Sequence, residues 1–301
     1  MTSPLKYALI TAGLMALAFP GQASADGTTP AFPYAATATI AGGFNSMSGS
    51  TFFGDGLLDN DIGLIVAGGD FVIPVTGYWN IQLGGQFRHE TGYDYGFQDT
   101  TLFQGGGIGF WRDQAMGTIG IEAGLYTPQP TNSGSEETAT YVKLGGVGEY
   151  YFSEMITAGA YGGMFIAPSP DNNGSRFADD GFYVGGNLNY YATDRFAFSA
   201  IGQFSEMNIG QSGTTGRHLQ TLRAGGKLRY LTSMSGVELF AAGNYVNCDA
   251  RREEINRESD GFEFLAGVNI RLGGESASLV SIDRSNALDT RVWTCYDEGI
   301  Y

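Results

Sequence analysis

From residue 34 onward apolar and polar side chains alternate with a period of two, in segments of roughly ten to thirteen residues divided by turn-forming stretches. The pattern predicts strands at 34–44, 61–73, 78–88, 101–112, 117–127, 138–152, 156–167, 181–193, 196–207, 219–231, 237–246 and 261–272. Alternation is clearest in the tenth. Leu222, Ala224, Gly226, Leu228 and Tyr230 share one face, and Thr221, Arg223, Gly225, Lys227 and Arg229 share the other. The third strand sets Trp79, Ile81, Leu83 and Phe87 against Asn80, Gln82, Gln86 and Arg88. The twelfth sets Phe262, Phe264, Val268 and Ile270 against Glu263, Asn269 and Arg271. A soluble sandwich alternates too, but its wet face favours Lys and Glu. Here aromatic residues gather at strand ends instead (Tyr78 and Trp79, Tyr150 to Phe152, Tyr190 and Tyr191), as at a membrane interface.

Connections after the even strands are tight, as in Pro74 to Gly77, Asp113 to Met116 and Asp194-Arg195. Those after the odd strands are longer and rich in Gly, Ser, Asn and Asp, as in Asn45 to Asn60 and Pro168 to Asp180. Short turns on one side and long loops on the other are the asymmetry of a transmembrane barrel. Each even strand carries a mid-strand glycine, at Gly68, Gly106, Gly145, Gly185, Gly225 and Gly267, with spacings of 38, 39, 40, 40 and 42 residues. One hairpin per period gives twelve strands. A six-bladed propeller has a similar period, but its blades hold four short strands, whereas each period here holds two long ones. Eleven residues at a tilt near 40° rise about 28 Å, the thickness of the hydrocarbon core.

No segment after the N-terminus has eighteen uninterrupted apolar residues, so a membrane would be crossed by a closed barrel, whose ladders satisfy every backbone group. The N-terminus itself reads as an export signal: Lys6, an apolar run from Tyr7 to Phe19, and Ala23-Ser24-Ala25 before Asp26. The organisation expected is therefore a signal peptide over 1–25, a barrel over 26–273 and a C-terminal tail over 274–301. Removing Lys6 leaves 15 basic against 31 acidic residues (16 − 1 = 15; 15 − 31 = −16), a balance that excludes nucleic acid as a partner. Only 16% of residues are charged and 47 of 301 are glycine, unlike a water-soluble domain.

The last strand, Leu265-Ala-Gly267-Val-Asn-Ile270-Arg-Leu272, resembles the closing-strand signal of outer-membrane proteins, with apolar residues three and five after a glycine. With the repeated hairpins, the chain to Gly273 is similar to the porin-like bacterial outer-membrane β-barrel proteins. The resemblance implies an all-β, up-and-down antiparallel transmembrane barrel in the outer membrane of a Gram-negative bacterium. It implies outer-membrane lipids, lipopolysaccharide and the barrel-assembly machinery as partners. Such chains end on an aromatic residue of the last strand, whereas this one runs 28 residues past Gly273.

Alternation turns Glu122, Lys143, Glu149, Arg223, Lys227, Arg229, Glu238, Glu263 and Arg271 inward. They read either as a salt-bridged, hydrated filling or as a selectivity lining with Arg223, Lys227 and Arg229 as an anion-attracting stripe. The filling is preferred, because acids beside a basic row neutralise it. Catalytic material is thin: His89 and His218 fall near external strand ends, with Glu90, Asp94, Asp99, Asp179 and Asp180 assigned to loops there. No His-x-Ser arrangement is present, so no enzyme is expected, and no cofactor or metal. The loop acids have an alternative use in bridging divalent cations to lipopolysaccharide.

Cys248 and Cys295 are the only cysteines, and an exported protein favours their pairing. Cys248 follows the eleventh strand outside, while Cys295 lies in a tail leaving the twelfth on the other side. They meet only if the tail returns through the lumen, and the 22 residues between Leu272 and Cys295 reach about 70 Å. Inward Gly84, Gly124, Gly145, Gly185, Gly225 and Gly267 would leave room for it. The other reading is a mobile periplasmic tail. Two functions follow: passive diffusion of small polar solutes through a charged lumen, or a closed structural or surface-interaction barrel plugged by its tail. A hydrolase at the rim is a weaker third.

Overall fold

The computed structural model describes residues 35–50, 57–91, 100–130, 140–167, 178–209, 218–252, 255–273 and 278–294. The proposed signal peptide and Cys295 lie outside the described residues, as do Asp94 and Asp99. Twelve strands form: β1 (Ala35–Ser50), β2 (Leu57–Thr76), β3 (Trp79–Thr91), β4 (Thr100–Asp113), β5 (Gly117–Pro130), β6 (Tyr141–Ser153), β7 (Ile156–Ile166), β8 (Ala178–Thr193), β9 (Phe196–Ile209), β10 (His218–Leu231), β11 (Val237–Arg252) and β12 (Ile255–Leu272). Each pairs antiparallel with its sequence neighbours, and β1 pairs with β12 to close the barrel. Closure leaves no sheet edge.

The outward faces carry Ile40, Leu83, Ile121, Leu144, Leu188 and Leu228, all exposed on the barrel surface and suited to lipid. Aromatic pairs flank this belt. Tyr78 and Trp111 (5.8 Å between centroids) and Tyr150 and Phe152 (4.7 Å) lie at the tight-turn end. Phe44 and Phe264 (5.2 Å), Phe182 and Phe204 (5.8 Å), and Tyr245 and Phe262 (5.6 Å) lie toward the other end.

Several strands outrun their predicted limits on the long-loop side. The β1–β2 ladder continues to Ser50 opposite Leu57, and the β11–β12 ladder to Arg252 opposite Ile255, so much of the expected loop at Asn45 to Asn60 is strand. Past the lipid, outward positions meet water and need not be apolar, so the signal fades while the ladder does not. At the tight end Pro74 falls where the β2–β3 register shifts, a position that requires no N–H. Gly236 closes the β10–β11 turn at φ 75°, with the Arg271 carbonyl where a side chain would stand.

Residues 278–294 rise through the barrel from this end. They begin as one helix, α1 (Leu279–Ser285), capped by the Ser278 hydroxyl, which accepts from Ser281 N–H at 3.2 Å. Leu279 and Ile282 are buried against Tyr191, Ala197 and Leu231. The Leu279 N–H donates to the Asp194 carbonyl in the β8–β9 turn at 2.7 Å.

Candidate functional site

Above α1 the tail is extended and alternates again. Leu288, Thr290, Val292 and Thr294 are buried against the wall, while Asp289 is exposed and Arg291 and Trp293 are half-buried. Leu288 packs among Val72, Ile108, Phe110 and Val147. Val292 packs among Leu102, Tyr126, Tyr141, Phe165, Tyr183 and Met207. All are inward residues, so the interior is polar only in part: one side is apolar and aromatic, and the tail covers it.

Wall amides hold the tail by its backbone. Gln82 on β3 donates to the Leu288 carbonyl at 2.9 Å and accepts from its N–H at 2.8 Å. Gln203 on β9 does the same for Trp293, at 2.6 and 3.3 Å, and Gln104 on β4 accepts from Val292 N–H at 3.2 Å. Lys143 donates to the Thr290 carbonyl, and the Tyr126 and Thr294 hydroxyls lie 2.8 Å apart. At roughly 1 kcal/mol net each, these contacts would be modest singly and substantial together.

The nine predicted lumen residues all lie inside, and seven of them form three groups. Low in the barrel, Arg229 donates to Glu238 at 3.1 and 2.9 Å, Arg271 to Glu238 at 2.6 Å, and Arg229 to Asp283 of α1 at 2.6 Å. At mid-height Lys143 meets Glu122 at 3.0 Å, Tyr183 also donates to Glu122, and Arg291 of the tail pairs with Asp70. Higher up, Glu263 accepts from Arg223, from Arg88 at 2.7 Å and from Asn244 at 2.8 Å. Trp293 is flanked there by the guanidiniums of Arg88 (4.5 Å) and Arg223 (5.5 Å). Glu149 lies 3.4 Å from the Tyr151 hydroxyl. Lys227 rests 4.3 Å from the Phe240 ring centroid. The basic row is thus largely neutralised rather than a bare stripe.

Other expectations are corrected. Glu90 is not a loop acid but a buried residue of β3 paired with Arg88. Asp180 lies within β8, where it begins the ladder with β7 and stands opposite Asn208 of β9, from which it accepts at 2.7 Å; Asp179 is also within β8. His89 and His218 face outward on β3 and β10, five strands apart around the ring through β1 and β12. His89 contacts Thr101 at 3.0 Å and His218 contacts Glu206 at 3.4 Å, so no common site unites them. The inward glycines are not an open slot. Tyr183 leans over Gly145, Tyr161 over Gly185, Phe240 over Gly267 and Asp70 over Gly84. Gly84, Gly106 and Gly124 border a small cavity with Leu288, Thr290 and Arg291.

Cys248 is buried on the inner face of β11 and disulfide-bonded; among the described residues no cysteine is free. The sequence pointed to the charged residues but not to Gln82, Gln104 and Gln203, whose inward placement was readable while their partner was not. Between the tail and the opposite wall lies a cavity of about 250 Å³. It is lined by Asn189, Ser199, Lys227, Asn269 and, from the tail, Asp289 and Arg291.

Burial alone would raise the Asp283 carboxyl, but the facing Arg229 guanidinium reverses this and holds it below the ordinary carboxylate value of 3.8. A depressed folded-state pKa stabilises docking above that value and loses its contribution as pH falls through the folded pKa. Pepsin cleavage of α1 should therefore set in only as the pH falls below 4. In Asp283→Asn it should be present from the upper end of pepsin's range, and equal resistance of the two proteins would remove Asp283 as an anchor.

No family model matches the sequence, and no curated protein matches it. Several solved structures are similar to it. An outer-membrane channel from Pseudomonas putida F1 is 13% identical, with 82% of this chain and 98% of that one covered and a TM-score of 0.60. A FadL homologue of Pseudomonas aeruginosa is 8% identical over 79% of this chain and 90% of that one, with a TM-score of 0.41. The KdgM porin is 8% identical over 77% and 98%, with a TM-score of 0.39. The closed barrel with its apolar belt has the fold of the porin-like outer-membrane proteins, and the outer membrane is where such a surface is solvated.

Proposed function

We propose that this protein is a porin-like channel for passive diffusion of small polar solutes, narrowed by its own C-terminal tail. The observation that carries the reading is the one-sided seat of the tail. Its even-numbered residues from Leu288 to Thr294 pack on the wall, and its odd-numbered ones border a polar cavity. A plug that served only to close the barrel would gain from filling that space with apolar side chains. The separated histidines favour a non-catalytic role. Since the chain has only two cysteines, we take Cys295 as the partner of Cys248, which would fasten the far end of the tail.

The test is single-channel recording of the full chain in planar bilayers. Small, ohmic, long-lived steps are expected, with liposome swelling for solutes of a few carbons and none for oligosaccharides. Silence at every voltage would leave the closed barrel as the better account, since the dense anchoring of the tail suits that reading.

A further inference from the structure

The geometry points to Lys227 as a binding and selectivity site for small carboxylate anions, placed in the channel beside the tail. This rests on reading the barrel as a channel, but it is separable from it. Five cations line the main cavity: Arg223, Lys227, Arg229, Arg271 and Arg291. Four of them pair with carboxylates, namely Glu263, Glu238 with Asp283, Glu238, and Asp70. Lys227 has no carboxylate within 4 Å among the described residues, and its ammonium lies against the Phe240 ring instead. A half-buried ammonium with no carboxylate against it recovers only part of its desolvation cost, and an entering anion supplies the rest.

The surroundings suit a carboxylate. Ser199 stands opposite Lys227 in the β9–β10 register, and it lines the cavity with the Asn187 and Asn189 amides. Together they offer an ammonium, a hydroxyl and amide N–H groups to two oxygens. The volume of about 250 Å³ is that of roughly eight waters, enough for an anion of a few carbons with part of its hydration. Asp289 works against it. Its carboxylate is 61% exposed, borders the same cavity and is held only loosely, 3.8 Å from Arg291. The tail thus sets an acid opposite the spare cation, and the balance between the two fixes the preference.

Reversal potentials of the full chain in gradients of potassium acetate and potassium chloride test the assignment. Lys227→Gln should lower the anion-to-cation permeability ratio about fivefold, the effect of one unit charge over a few ångströms in watery surroundings. Lys227→Arg should keep it, and Asp289→Asn should raise it. Conducting channels with unchanged ratios in both Lys227→Gln and Asp289→Asn would overturn the proposal while leaving the channel intact. If the full chain is silent, the channel reading fails, and iodide quenching judges the site alone. Trp293 lines the same cavity, so in a Trp79→Phe/Trp111→Phe background Lys227→Gln should weaken quenching by iodide relative to caesium. Equal quenching with and without the lysine would end the assignment.

Discussion

Conductance should rise severalfold when the tail is freed, and only when both of its fastenings are cut. The tail continues directly from β12 through residues 274–277 and is fixed at its far end by the proposed Cys248–Cys295 bond. Between them lie the glutamine contacts, the Arg229–Asp283 pair and the apolar seats of Leu288 and Val292. Deleting 274–301 outright strips cover from Phe110, Phe165 and Tyr183 and risks misfolding. A protease site placed in 274–277 lets the barrel fold first. Cleavage alone should change little, because the segment remains tethered at high effective concentration. Reductant alone should also change little, for the same reason from the other end. Cleavage, reductant and a mild denaturant wash together should give larger steps. Unchanged steps after proven loss of the tail, checked by mass spectrometry, would show that the tail does not limit the pore.

The barrel was legible because each strand reports its own environment. In β10 every second residue touches lipid, so a local pattern of period two suffices, and the forty-residue spacing of Gly106, Gly145, Gly185 and Gly225 counts the hairpins. The tail was less legible because its environment is made by distant strands. Nothing near Gln82 in the sequence names Leu288 as its partner, 206 positions away. A signal did exist: Leu288, Thr290, Val292 and Thr294 repeat the period of two beyond the last strand of an already closed barrel. Such a segment has no free edge to join, so its regular face can be buried only against the inner wall. The same logic applies to Phe165 and Tyr183, aromatic and inward, whose apolar partner Val292 lies in the tail.

Glu238→Ala should destabilise the folded barrel by about 3–5 kcal/mol, the usual cost of leaving buried charges without their partner. Glu238 is fully buried and accepts from Arg229, Arg271 and Asn269, the last at 2.8 Å. Its loss leaves Arg229 with Asp283, but leaves Arg271 without a carboxylate within 4 Å among the described residues. Two guanidiniums on β10 and β12 then lose the carboxylate of β11 that they share, and α1 loses the group that orients its anchor. Urea titration of the heat-modifiable band in detergent reads the effect. Because an apolar replacement for a buried ion pair is often neutral, Glu238→Leu combined with Arg271→Met should recover much of the loss, and the coupling in that cycle measures the pair. If Glu238→Ala costs less than about 1 kcal/mol, the interior at this level is wet enough to screen the arginines. That result would favour an open, hydrated lumen over a sealed one.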